Sequence, residues 1–187
     1  GAIYVSIIDS VGQPVPAAQI HIVNTSVSPN INITRTSDSA GNWIEVALPN
    51  SANSYKITVT KNGYSTDQTY AVSENNPNPI KTDATVLNGQ VTKISFSIDK
   101  LSTLNIATMN QVCAAMPNIG LEVKGEKIIG TNPFVYKFDN FYATNSSGLI
   151  SLSNIEWDVY TPGLTGSSHM AYGTFPILQA NLMPDTQ

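Results

Sequence analysis

Charge is scarce in this chain of 187 residues: 12% are charged, against about 25% in an average globular domain. The net charge of −4 and the scatter of Lys and Arg leave no basic run to grip a phosphate backbone or an anionic lipid face, so neither a nucleic-acid nor a membrane-surface partner is expected. Cysteine occurs once, at Cys113, which excludes an internal disulfide; a lone cysteine usually packs as a small hydrophobe, so burial is expected. Histidine occurs only at His21, in an apolar strand pattern, and at His169, in the loop Gly166-Ser167-Ser168-His169-Met170. Neither has metal-ligand spacing to a second His or Cys, and zinc takes three or four ligands. Neither is placed as the base of a Ser/His/Asp set. No apolar run approaches the ~20 residues that span a bilayer. Phosphate-cradling glycine loops are missing. Glu122, Glu126, Asp139, Glu156 and Asp158 show no spacing that singles out a catalytic carboxylate pair, and solvated charges are the expected reading. No cofactor is expected, and no catalytic residue is assigned.

Alternation dominates what is present. Polarity is carried by Asn, Ser and Thr; Thr favours strands, and Asn and Ser favour turns. Ile3, Val5 and Ile7 share one face of a first strand. Asp9-Ser10-Val11-Gly12-Gln13-Pro14 reads as a turn into a strand around Ile20 and Ile22. Asp38-Ser39-Ala40-Gly41-Asn42 closes a hairpin into Trp43-Ile44-Glu45-Val46, and Tyr55 to Thr60 is a period-two strand ending at Lys61-Asn62-Gly63-Tyr64. Ser73 to Pro79 is linker-like in composition, yet Thr82–Leu87 and Thr92–Ile98 read as further strands of the same domain. Met109–Met116 is the best helix candidate and is too short to stand alone.

The second half repeats the first. Ala115 to Val123 echoes Val15 to Ile22, Thr144 to Ile150 echoes Thr36 to Ile44, and Leu178 to Gln187 echoes Ala84 to Gln90. The Gly-Gln-Pro turn reads as lost from the repeat. Two tandem sandwiches are expected, 1–99 and 100–187. The second is one strand short, because nothing echoes Thr92–Ile98. The unpaired edge is expected at Leu178, Ala180 and Leu182; the simpler expectation is that the last strand belongs to the same chain beyond Gln187, the alternative that a strand from another subunit pairs there.

The set Asp9…Gly12-Gln13-Pro14-Val15-Pro16-Ala17-Ala18, Thr36-Ser37-Asp38…Gly41-Asn42-Trp43, Leu48-Pro49 and Tyr55…Val59…Lys61-Asn62-Gly63-Tyr64 resembles the carboxypeptidase regulatory-like domain. The resemblance implies an all-β chain of two transthyretin-like (Ig-like, Greek-key) β-sandwiches. More faintly, the chain is similar to ectodomains of prepilin-like bacterial surface proteins. The abrupt start at a core strand is expected to follow an upstream leader or anchor. Such domains are generally non-enzymatic, which implies a structural or adhesive role at the cell surface, self-assembly or protein partners, and an extracellular location.

Three local features could carry binding. Phe134, Tyr136, Phe141, Tyr142, Trp157 and Tyr160 could form an aromatic surface for a glycan or a protein. A carbohydrate-binding module is therefore the alternative function. On alternation, Phe134, Tyr136 and Phe138 share a face, and burial is expected for them. Asp38 and Asn42 are weak calcium candidates, since the same residues suit a hairpin turn. An intramolecular isopeptide is not expected, because Ile3–Ile8 and Leu104–Met109 contain no lysine. Sequons at Asn24, Asn32 and Asn145 are what chance gives in so Asn-, Ser- and Thr-rich a chain.

Overall fold

A computed structural model describes residues 1–166, 169–171, 173–174 and 179–186. Leu178 lies outside the described residues. Strand is the regular element among them, without helix, so the chain is all-β. It divides into two compact units: Gly1–Asp99 with Ile129–Val135, and Lys100–Ile128 with Tyr136–Gln187.

Unit 1 contains β1 (Ala2–Ile8), β2 (Gln19–Asn24), β3 (Ile31–Thr36), β4 (Asn42–Glu45), β5 (Ser51–Thr60), β6 (Asp67–Gln68), β7 (Ala84–Val86) and β8 (Val91–Ser97). One sheet has the order β4-β1-β8; the other runs β3-β2-β5-β6, with β7 also on β5. Ile3, Val5 and Ile7 point from β1 into the interior, and Ile20, Ile22, Ile57 and Val59 meet them from the facing sheet. All seven are fully buried, as period-two alternation requires of a sandwich core. Two polar clasps join the sheets at their margins. Arg35 of β3 makes a two-toothed ion pair with Glu45 of β4 (2.8 and 3.2 Å), and the Trp43 indole N–H donates to the same carboxylate. On the other side Asp67 accepts from Lys81 Nζ and from the outward N–H of Ser97 on β8. The linker-like stretch 73–79 lies inside this unit, where Asn78 Nδ2 donates to the carbonyl of Asn132 and the Ile80 N–H to that of Ile129.

Unit 2 holds β9 (Ser102–Ala107), β10 (Gly120–Gly125), β13 (Asp139–Ala143), β14 (Leu149–Ile155), β15 (Asp158–Leu164) and β16 (Ala180–Leu182). The short strands β11 (Ile128–Gly130) and β12 (Val135–Tyr136) pair with each other. Unit 2 has a sheet of order β13-β10-β15-β16 and a two-stranded sheet β14-β9. Its core gathers Leu104, Leu121, Val123, Ile150, Leu152, Tyr160 and Leu182.

Candidate functional site

Two turn devices recur in both units with the same hydrogen bonds. In unit 1 the Asp9 carboxylate accepts from the N–H groups of Val11 and Gln13, and Gly12 takes φ +80°. In unit 2 the Asn110 side chain accepts from Val112 and Ala114, and Cys113 takes φ +61°. The turn that the sequence read as lost is therefore present, with Asn for Asp and Cys for Gly. Its place at the tip of that turn leaves Cys113 exposed, not buried as expected. The helix candidate Met109–Met116 is this same turn, bridged by Met109 and Ala115.

The second device repeats as faithfully. Asp38 accepts from Ala40 and Asn42; Asn145 accepts from Ser147 and Leu149. Ser37 Oγ accepts from the Ala18 N–H and donates to the Val15 carbonyl, and Thr144 Oγ1 does the same between Ile119 and Met116. Asp38 thus spends an oxygen on its own turn, and Asn42 sits in the β1–β4 ladder opposite Ser6. No cluster of three or more His, Cys, Asp or Glu able to hold a metal ion occurs among the described residues.

In unit 1, β8 lies parallel to β1 over seven residue pairs, from Ala2↔Val91 to Ile8↔Ser97. The ladder starts with the Ala2 N–H donating to the Gln90 carbonyl at 2.9 Å. In unit 2 the Thr103 N–H donates to the Thr186 carbonyl at 2.9 Å. The approach is also alike: Gly89 takes φ +70° and Asp185 φ +59° just before these carbonyls. The match makes β9 the counterpart of β1 and β16 that of β7. β16 does close its sheet order, but Leu182 points into the core and Ala180 packs against it. Among the described residues of unit 2, β8 has no counterpart. Among the described residues β9 pairs only with β14. Ala180 and Leu182 do lie on the end strand of their sheet, as the sequence comparison expected; what that comparison lacked was the pairing that sets β8 beside β1 in unit 1.

The aromatic residues do not make one platform. Tyr160 is fully buried, Phe138 meets it edge-on at 5.2 Å, and Tyr142 stacks on Phe138 at 6.5 Å. Lys124 covers the Tyr136 ring and Lys127 sits 3.4 Å from the Trp157 ring centroid. Phe134 and Phe141 are exposed; the expected burial of Phe134 fails, since it lies between β11 and β12 rather than in a core-facing strand. Lys127 also pairs with Glu156 at 2.7 Å, a carboxylate shared with Lys137 at 2.5 Å. Burial pulls the Lys127 ammonium below its ordinary range, with Glu156 opposing. The Lys127 N–H donates to Asp158, whose carboxylate lies where a Cβ on Gly125 would be, only 2.2 Å away. This cluster ties the turn after β10 to the start of β15. His21 shares a 2.8 Å hydrogen bond with Asn32 across the β2–β3 pair, a surface contact without nucleophile or acid.

No family model matches the chain, and no curated protein matches it. Among solved structures, the Bacillus anthracis TIE protein aligns with all of this chain at 11% identity and a TM-score of 0.39, the chain spanning 32% of its length. The shaft pilin SpaA of Lactobacillus rhamnosus GG aligns at 10% identity over 99% of this chain and 94% of its own, with a TM-score of 0.37. The minor pilin GBS52 of Streptococcus agalactiae gives 10%, 99%, 91% and 0.37. Likenesses this distant fix neither the family nor the function.

Proposed function

We propose that this chain is a non-catalytic structural element of an extracellular, pilus-like assembly, and that its first sandwich carries tension. In this reading the two units are a carboxypeptidase regulatory-like pair used as a spacer. The parallel pairing of β1 with β8 carries the proposal. Tension enters unit 1 at the start of β1 and leaves at the end of β8, where the chain runs on through Asp99 to β9. In a parallel pair those are opposite ends, so the force slides one strand along the other. Every rung of the seven-pair ladder then resists together, instead of one after another. The ladder is backed by the buried side chains of Phe96 and Ile98, which must leave the core before the strands slide.

The test is single-molecule stretching of the whole chain with Cys113→Ser. One attachment is at the N-terminus; the other is at the C-terminus or at Asn88→Cys, just before β8. Attachment at residue 88 puts both handles at the same end of the pair and unzips it. Unit 1 is expected to rupture at several-fold higher force in the first geometry. Equal forces in the two geometries would remove the mechanical argument.

A further inference from the structure

We infer that Asp99 is a mechanical latch of the first sandwich, holding the end of β8 against tension before the β1–β8 ladder is strained. The inference rests on the tension-bearing reading above and adds the residue that meets the load first.

Tension on β8 arrives through Lys100, so it reaches Asp99 before any rung of the ladder, the last of which is Ile8↔Ser97. Asp99 is buried there, at 5% exposure. Both of its carboxylate oxygens accept from Ser10, one from the backbone N–H at 2.9 Å and the other from the hydroxyl at 3.1 Å. Its N–H donates to Ser65 Oγ at 3.1 Å, and its carbonyl accepts from the Ser65 N–H at 2.7 Å. One residue thus closes four hydrogen bonds immediately beyond the ladder.

Both anchors are themselves fixed. Ser10 stands in the turn directly after β1, which Asp9 braces by accepting from Val11 and Gln13 and by donating its N–H to the Gln13 carbonyl. Ser65 is buried and lies between β5 and β6, strands of the facing sheet. Asp99 therefore ties the end of β8 to both sheets. Sliding β8 along β1 draws Asp99 away from Ser10, and β8 cannot slide until those bonds part.

A carboxylate suits the place. Hydrogen bonds to an ionised acceptor are roughly twice as strong as neutral ones, and two oxygens grip two donors of the same residue. Stability alone does not call for it, since burying an acid costs free energy that an apolar residue would not. A second carboxylate has the same placement: Asp67 accepts from the N–H of Ser97, the last residue of β8, and from Lys81. Both acids sit at the end of β8 where the load enters.

The test holds the whole chain with Cys113→Ser at fixed force, using the two handle geometries already described, and compares Asp99→Ala, Ser10→Ala and the double variant. Pulled from end to end, unit 1 with Asp99→Ala is expected to unfold at least about tenfold faster, because buried donors lose a charged acceptor. Ser10→Ala removes one of the two carboxylate bonds and should speed unfolding by less. The double variant should unfold no faster than Asp99→Ala, since the two residues share the bond. With the second handle at Asn88→Cys the ladder peels from Val91 and the latch feels load last, so both variants should leave the first rupture force unchanged. Unchanged rates in the end-to-end geometry would overturn the inference. So would equal acceleration in both geometries, which marks an ordinary structural role. If Asp99→Ala does not fold, Ser10→Ala decides by the same comparison. Equal wild-type forces in the two geometries would remove the ladder reading and the latch with it. Unequal wild-type forces with unmoved variants would overturn the latch alone.

Discussion

Replacing Ser37 by Ala tests whether one hydroxyl holds the return turn of unit 1. Ser37 is buried, and its Oγ accepts from the Ala18 N–H and donates to the Val15 carbonyl, both at 3.0 Å. Ala18 is fully buried and Val15 nearly so, which leaves water no access to either group. Ser37→Ala therefore strands one donor and one acceptor, each worth about 1–3 kcal/mol when left unpaired. Some relaxation is expected, so the net loss should be about 2–4 kcal/mol. With a urea slope of roughly 2 kcal/mol per molar, the midpoint of unit 1 should fall by about 1–2 M. Each unit carries its own tryptophan, Trp43 or Trp157, so fluorescence in a Trp157→Phe background reports unit 1 alone. Ser37→Thr is the control: Thr144 makes the same two bonds in unit 2, so threonine should cost under about 1 kcal/mol. A midpoint unmoved by alanine, or moved equally by threonine, would refute the reasoning.

Cys113→Gly should stabilise unit 2 by up to about 1 kcal/mol, since glycine takes a positive φ without the cost a Cβ incurs there; urea unfolding followed by Trp157 reads the gain, and a loss would contradict it. Tyr160 has its phenol pKa raised, chiefly by burial and further by Asp158 and Glu156. The folded unit keeps a proton that the unfolded chain releases above about pH 10, so this stability is full below that pH and drains as pH rises toward the folded pKa. Tyr160→Phe should flatten the alkaline loss of unit 2 in denaturation at several pH values, and an unchanged slope would show that Tyr160 is not its source.

The first sandwich was legible because each of its devices uses the residue that best suits it. Gly12 and Gly41 take the positive φ, Asp9 and Asp38 cap the turns, and Ile3, Val5 and Ile7 alternate without a break. The second is built from poorer versions of the same parts: Asn110 caps like Asp9, Cys113 stands where glycine would, and Thr108 replaces the third isoleucine. A reader of residues sees a lost turn, while the backbone sees the same turn. The usable signal was spacing, an Asp or Asn three residues before the positive φ, at 9, 38, 110 and 145. The aromatics misled for a different reason. Alternation predicts a shared face only within one strand, and Phe134, Tyr136 and Phe138 do not share one.

The same comparison shows how unit 2 holds its core where, among the described residues, β9 pairs only with β14. At the far end of β1, Ile7 is covered by Phe96, its ladder partner on β8. At the matching point of β9 the chain places Thr108, whose Oγ1 donates to the Met116 carbonyl at 2.6 Å, next to the Thr144 Oγ1 bond to that same carbonyl at 3.0 Å. A hydroxyl bonded within its own unit tolerates water, whereas an isoleucine there would need cover such as Phe96 gives Ile7 to keep its burial free energy. Polar stitching thus stands in for the packing that a neighbour would supply. The near end needs no such device, because Ser102 Oγ donates to the Met183 carbonyl and Thr186 closes the first rung. Ile106, between the two ends, is the half-buried apolar residue on the inner face of β9, packed against the core with no such hydroxyl bond.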